Sequence, residues 1–233
     1  MRLFFIFFLS LCTFSSFSQE DVISSDTLKI KIDSLYREDQ FYFSFSLNTL
    51  QNKPAGLTQD KFSSGFTIGF LRDFPVNKNR TIAIAPGIGI AYNNYNQNLK
   101  ISETNQTKEY EIIESTVTYD RNKFSQLLVE VPIEFRWRTS TFESHKFWRV
   151  YGGFKVGYLL YDQSVYKDQY EKITLTKNKD FNQFQYGTYI SAGYNSINIF
   201  AYYGLNPLFQ SAKTTTESID MNSLIIGVMF YIL

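Results

Sequence analysis

Val129-Glu-Val-Pro-Ile-Glu-Phe-Arg-Trp-Arg138 is the stretch that decides the fold of this chain. Val129, Val131, Ile133, Phe135 and Trp137 fall on one face, while Glu130, Pro132, Glu134, Arg136 and Arg138 fall on the other. Side chains of a strand alternate between two faces, so this segment reads as a β-strand with a greasy side and a charged side.

The same period recurs in both directions. Strand one, from Gln40, sets Phe41, Phe43, Phe45 and Leu47 against Tyr42, Ser44, Ser46 and Asn48. Strand two, about residues 62 to 73, sets Phe66, Ile68 and Phe70 against Gly65, Thr67 and Gly69. Strand three carries Ile82, Ile84, Ile88, Ile90 and Tyr92 opposite Ala83, Ala85, Gly87, Gly89 and Ala91. Strand four is the stretch quoted first. Strand five turns Trp148, Val150, Phe154, Val156, Tyr158 and Leu160 away from Arg149, Tyr151, Gly153, Lys155 and Gly157. Strands six and seven place Phe184, Tyr186, Ile190, Tyr194, Ile197, Ile199, Ala201 and Tyr203 on their apolar faces. Strand eight is the run Leu224-Ile-Ile-Gly-Val-Met-Phe-Tyr-Ile-Leu233.

Connections alternate between long and short. Long segments follow strands one, three, five and seven, whereas Pro75 to Asn79, the residues before Trp148, and Asn195-Ser196 are short turns. Bacterial outer-membrane barrels pair short periplasmic turns with long outer loops. The fold expected is therefore all-β: an eight-stranded antiparallel up-and-down transmembrane β-barrel over residues 40–233, with both termini periplasmic.

A soluble lipocalin-like barrel alternates too, but with its apolar face inside. Volume decides against it, because an eight-stranded interior is only just wide enough to be filled and cannot hold dozens of Phe, Ile, Tyr, Trp, Val and Leu side chains. Ten of the 12 glycines fall on the less greasy face, as a narrow lumen requires. Trp137, Trp148, Tyr92, Tyr158 and Tyr194 suit interfacial girdles. Pro86 and Pro132 lie inside strands three and four, where a closed wall has no free edge, so a local bulge or a shorter strand is expected.

Arg2 followed by the apolar run Leu3 to Leu11, with Ser16 and Ser18 before Gln19, reads as a secretory signal peptide over residues 1–18. That run is roughly half the ~20 residues of a spanning helix, and no later stretch comes closer. Cys12 is the sole cysteine, and Leu11 stands where lipidation wants a small residue. Lys+Arg number 23 against 22 for Asp+Glu, and removing Arg2 leaves 22 against 22, so charge nominates no nucleic-acid partner. Residues 19–39 read as a mobile periplasmic leader or a weak contact strand. Outer-membrane lipid is the partner expected for the wall, and other envelope proteins for the loops and leader.

The lumen side of strands four and five carries Glu130, Glu134, Arg136, Arg138, Arg149 and Lys155. One register faces Glu130 with Lys155 and another faces Glu134 with Arg149. Buried charges must be paired, so a salt-bridged structural plug is favoured over a gate or solute site. The only histidine, His145, lies beside Lys146 in a short turn, with no second histidine or cysteine for a metal site or a nucleophile–base pair. No catalytic residue, metal or cofactor is expected. The segment Asn96 to Gln126 alternates weakly through Leu99, Ile101, Ile112, Val117 and Tyr119, which suits strands three and four extending past the membrane as a hairpin; it reads equally as a docking surface or as an ordinary outer loop.

Phe62-Ser-Ser-Gly-Phe-Thr-Ile-Gly-Phe-Leu-Arg-Asp73, Ile133-Glu-Phe-Arg-Trp-Arg-Thr139, Lys146-Phe-Trp-Arg-Val-Tyr-Gly-Gly-Phe-Lys-Val-Gly157 and Tyr203-Gly-Leu-Asn-Pro207 resemble the PorT-like group of small outer-membrane barrels, found in bacteria with type IX secretion. The resemblance spans roughly residues 40–233. It implies an eight-stranded outer-membrane barrel and a link to protein secretion. The reading favoured is a non-enzymatic barrel with a structural or accessory role, ahead of a small-solute porin and a barrel enzyme.

Overall fold

The computed structural model describes residues 38–105, 107–139 and 147–232. The signal peptide with Cys12, the leader up to residue 37, and the turn holding His145 and Lys146 lie outside the described residues.

Twelve strands are formed among the described residues: β1 Gln40–Gln51, β2 Ser64–Leu71, β3 Phe74–Pro75, β4 Ile82–Asn96, β5 Leu99–Thr104, β6 Thr107–Ile112, β7 Arg121–Arg138, β8 Trp148–Lys167, β9 Lys172–Thr176, β10 Phe184–Tyr194, β11 Ile197–Gly204 and β12 Asn222–Ile232. Eight of them close a wall: β1 pairs with β2, then β4, β7, β8, β10, β11 and β12 follow, and β12 pairs back onto β1. Every pairing is antiparallel. The eight-stranded barrel expected from alternation is the fold observed. Gln40 and Ile232 lie at the short-turn end of the wall, since Gln40 faces Leu71 and Phe41 faces Ile232.

The outer surface is the greasy face. Phe41, Phe135, Trp148 and Ile199 are between 60% and 67% exposed, whereas Tyr42, Tyr151 and Tyr231 on the opposite faces of their strands are at most 4% exposed. Apolar side chains point away from the barrel axis, as lipid requires and water does not. Trp137, Trp148 and Tyr194 are exposed near the short turns, with the Trp148 and Tyr194 rings 5.4 Å apart. Tyr92 and Tyr158 are exposed toward the other end, Tyr92 facing Phe66 and Tyr158 packing on Phe184. Ten residue steps separate Trp148 from Tyr158; at ~3.3 Å per residue and a tilt near 40° they span roughly 25 Å of height, the apolar band of an outer-membrane barrel.

Three local expectations need correction. No bulge forms at either proline. Arg72 N–H donates to Pro86 C=O at 2.9 Å, but Pro86 has no N–H to return, and the ladder lapses between β2 and β3. It resumes with the offset unchanged, Leu71 facing Gly87 before the gap and Phe74 facing Ile84 after it. Between β4 and β7 pairing lapses opposite Pro132 and again resumes in register, from Pro86–Ile133 to Gly89–Glu130. The register shift in the wall lies instead between Leu127 and Leu128, on the β8 side of β7.

The second correction concerns strand five. It runs past the limit set by its apolar face, β8 ending at Lys167, because its polar end pairs from Arg121–Lys167 onward with the extension of strand four that the alternation of Asn96 to Gln126 suits. β9 extends this outer hairpin by pairing with β8 alone.

The third concerns Asn96 to Gln126. β4 and β7 do pair out to Asn96–Lys123, but between them β5 and β6 form a separate two-stranded sheet. Leu99, Ile101 and Tyr110 of that sheet are buried against Leu50, Leu57, Tyr95, Phe124, Phe181, Leu208 and Phe209. This segment is neither a free surface nor a plain loop; it folds inward as part of an apolar cap.

All four long connections contribute to the cap and are tied in a circle by hydrogen bonds. Asn98 donates to Gly56 C=O and Ile113 C=O, both at 3.0 Å, and accepts from Thr58 N–H at 2.7 Å. Tyr110 Oη donates to Asp180 at 2.8 Å. Asn182 Nδ2 donates to Pro207 C=O at 2.7 Å, and Ala55 N–H closes the circle on Glu217 at 2.7 Å. Phe181 and Phe209 stack at 4.4 Å beneath it. Burying each such ring contributes about 1.5–3 kcal/mol.

Candidate functional site

The lumen charges of strands four and five arise from one local rule: alternation places every second residue of β7 and β8 inside. At the short-turn end Arg136, Arg138 and Arg149 are almost wholly buried. Three guanidinium groups out of water require acids, and the barrel supplies them from several elements.

Asp73 is the centre of this arrangement. Arg138 Nη1 and Nη2 donate to its two oxygens, each at 2.8 Å, in the fork geometry that suits a carboxylate. Arg136 Nη1 donates to Asp73 Oδ1 at 3.0 Å, and Arg136 Nε donates to Glu134 at 2.8 Å. Glu134 accepts further bonds from Tyr189 Oη at 2.8 Å and Tyr231 Oη at 3.0 Å. Arg136 also lies over the Tyr151 ring, 4.9 Å from its centroid. Glu38 brings its carboxylate within 3.5 Å of Arg138, and its carbonyl accepts from Arg136 at 3.2 Å. Asp39 accepts from the Asp73 backbone N–H at 2.8 Å.

Higher in the lumen, Lys155 meets Glu130 at 2.9 Å and lies 4.4 Å above the Tyr202 ring. The cavities beside this pair measure about 20 Å³ and 10 Å³. Each is room for about one water.

Five of the six sequence-predicted lumen residues thus divide into two groups. Glu134, Arg136 and Arg138 share one network, Glu130 and Lys155 form a second pair, and Arg149 joins neither. The register is also neither of the two expected. Lys155 faces Pro132, so its bond to Glu130 is diagonal; Glu134 faces Gly153, and Arg149 faces Arg138. Arg149 rests on the rings of Phe147 and Tyr231, at 4.5 and 5.6 Å, and among the described residues its Nε and Nη1 have no hydrogen-bond partner.

Asp73, Glu38, Tyr189 and Tyr231 complete the site, and reading β7 and β8 alone does not find them. Asp73 carried a usable signal: it shares the inward parity of Gly65, Thr67 and Gly69 at the end of strand two. Glu38 shares the inward parity of Tyr42 and Ser44 but precedes the first alternating residue, Gln40. The leader boundary drawn at residue 39 therefore cuts through the site.

Two glycines set the tyrosines in place. A Cβ on Gly153 would come within 2.6 Å of the Tyr189 ring and 2.9 Å of Ile133 C=O. A Cβ on Gly69 would come within 2.6 Å of the Tyr42 ring. Large inward rings cross the lumen only where the facing wall has no side chain.

Among the described residues no three His, Cys, Asp or Glu side chains converge as a metal site would need. The carboxylates of Asp73, Glu130 and Glu134 are already engaged by cations and hydroxyls. At the long-loop end, Tyr110 and Asp162 share the buried Asn178, which donates to both. Burial pushes the Tyr110 hydroxyl well above its ordinary range.

No curated protein matches the chain. The family model described as "Outer membrane protein beta-barrel domain" matches residues 17–210, from before β1 through β11. A closed eight-stranded wall with an outward apolar band and this family match agree, and the chain belongs to the outer membrane protein beta-barrel domain family.

Proposed function

We propose that this chain is a non-conducting, non-catalytic outer-membrane barrel that acts as a structural or accessory component, with its short turns and both termini in the periplasm. One observation carries the reading: the lumen is stopped twice. The apolar cap fills the long-loop end and the Asp73–Arg136–Arg138–Glu134 network fills the other. Between them the spaces around Lys155 measure about 20 and 10 Å³, no more than room for a water each, which is no path for a solute. The acids and bases that an enzyme would use are consumed in mutual pairing.

The motifs shared with the PorT-like group extend this proposal to protein secretion through the type IX system. A plugged barrel serves such a system as a membrane-embedded platform and not as the conduit.

Planar-bilayer recording on the purified barrel tests the first part. The expected result is the absence of discrete conductance; large, stable steps from pure protein would replace this reading with a porin. Affinity purification from native outer membrane with mass spectrometry tests the second, with secretion components expected among the co-purified proteins.

A further inference from the structure

On the cap, three of the long connections converge on a pocket of about 580 Å³ whose walls carry Lys108, Lys177, Lys179 and Lys213. The one acid lining it, Asp180, is already engaged by Tyr110 Oη at 2.8 Å and Ser211 Oγ at 2.7 Å. Lys108 is paired with Glu103. Lys177, Lys179 and Lys213 form no ion pair among the described residues, so the pocket carries a surplus of positive charge.

The backbone that carries Lys177 and Lys179 is held in place by the fold. Lys177 adopts a left-handed backbone with φ of 56°, a conformation that costs a long side chain energy and persists only where its neighbours enforce it. The neighbours are visible. Asn178, buried, gives its N–H to Asp162 at 3.0 Å and its side-chain amide to Tyr110 at 2.8 Å; Asp180 N–H returns to Asn178 at 3.1 Å; Phe181 is sunk in the cap. The segment carrying Lys177 and Lys179 is thus pinned at both ends. Three exposed lysines gathered at one pocket, two of them on a pinned backbone, with its lining acid Asp180 already engaged, describe a site for an oxyanion.

We propose that this pocket binds a phosphate-bearing saccharide, of the kind displayed by the lipopolysaccharide around such a barrel. Phosphate matches the surplus charge, and the volume suits a mono- or disaccharide. Saccharide hydroxyls find partners in Ser211 here, and in Thr214, Thr215, Thr216, Glu109 and Glu111 of the adjoining pocket, which shares Lys108 and Lys213; its two acids leave the phosphate to the lysine-lined pocket. The source of the ligand rests on the orientation proposed above; binding itself, measured in micelles, does not, so the two fail separately.

The test is calorimetric titration of the full barrel in detergent with the deacylated phosphorylated saccharide of lipopolysaccharide, its dephosphorylated form, inorganic phosphate, and an acidic peptide. The phosphorylated saccharide is expected to bind at least about ten-fold more tightly than the other three, since each lost charge-assisted contact is worth roughly a factor of ten. Lys179→Gln with Lys213→Gln should weaken it by about ten-fold or more, while Lys78→Gln, in a short turn at the other end, leaves it unchanged. Equal binding of the two saccharides, of wild type and double variant, or of inorganic phosphate and saccharide would overturn the proposal. Preference for the peptide would do the same. Unfolding midpoints of the variants, expected to match wild type, show that the wall is intact.

Discussion

Arg138 and Arg149 face each other directly across the β7–β8 hairpin, both buried, and Asp73 serves only one of them. Like charges directly opposite on a strand pair are destabilising, so the arrangement holds because the acid engages Arg138 in two bonds while Arg149 is carried on aromatic rings. The barrel therefore has an arginine it depends on beside one it tolerates.

Asp73→Asn should be severely destabilising. It leaves Arg138 and Arg136 without their shared carboxylate in a closed lumen, a loss of about 3–5 kcal/mol. The urea midpoint for unfolding from lipid vesicles, followed by the heat-modifiable gel shift, is expected to fall; an unchanged midpoint would mean that Glu38 and Glu134 suffice.

Arg149→Met should act in the opposite direction. It removes a buried cation that forms no ion pair among the described residues and keeps a long flexible side chain against Phe147 and Tyr231. The same assay is expected to show a midpoint at or above that of wild type.

Gly153→Ala should displace Tyr189, because the new methyl would overlap its ring and strain against Ile133 C=O. Overpacking of this kind costs about 1–3 kcal/mol. Tyr189→Phe loses the bond to the Glu134 carboxylate, about 1.5–3 kcal/mol for a bond to a charged group. Both midpoints are expected to fall, and an unchanged midpoint in either would overturn this placement of Tyr189.

Phe181→Ala removes a ring stacked on Phe209 and tilted against Phe124, a truncation worth about 3–5 kcal/mol in a packed core. The loss falls on the cap and not on the wall. Proteases added outside should cut the long connections faster, while the gel shift of the folded barrel is kept and conductance stays absent because the Asp73 network still closes the lumen.

Asp168 gives the outer β8–β9 turn a defined response to acid. Backbone N–H groups of Glu171 and Tyr170 hold its carboxyl below the ordinary range. Its folded value is depressed, so its contribution is complete above the unfolded value near 3.9 and is lost as pH falls through the lower folded value. Amide protection at Tyr170 and Glu171 should be flat from neutral pH to about 5 and drop only below about 4.

Eight strands, their faces and their order were legible because lipid imposes a period-two pattern that survives in a single sequence. Phe41 and Tyr42, or Phe135 and Arg136, declare their sides without any tertiary information. The charge site was half legible: parity put Arg136 and Arg138 inside, but which acid meets which base depends on register across non-adjacent strands, and Asp73 reaches β7 from the far side of β4. The cap was illegible. Leu99, Ile101 and Tyr110 alternate as they would in a free hairpin, and only the convergence of Phe181 and Phe209 from distant connections gives their apolar side a destination. Pro86 and Pro132 misled in a different way, since a missing donor predicts a disturbance without saying whether the chain bends or simply skips a bond.

The skipped bonds have a mechanical consequence. Pro86 thins the stitching on one flank of β4, toward β2, and Pro132 thins it on the other flank, toward β7, at nearly the same level of the wall. Under a pulling force applied to β4, the barrel should tear first along these two perforations, releasing that strand as a unit while the remaining seven stay zipped.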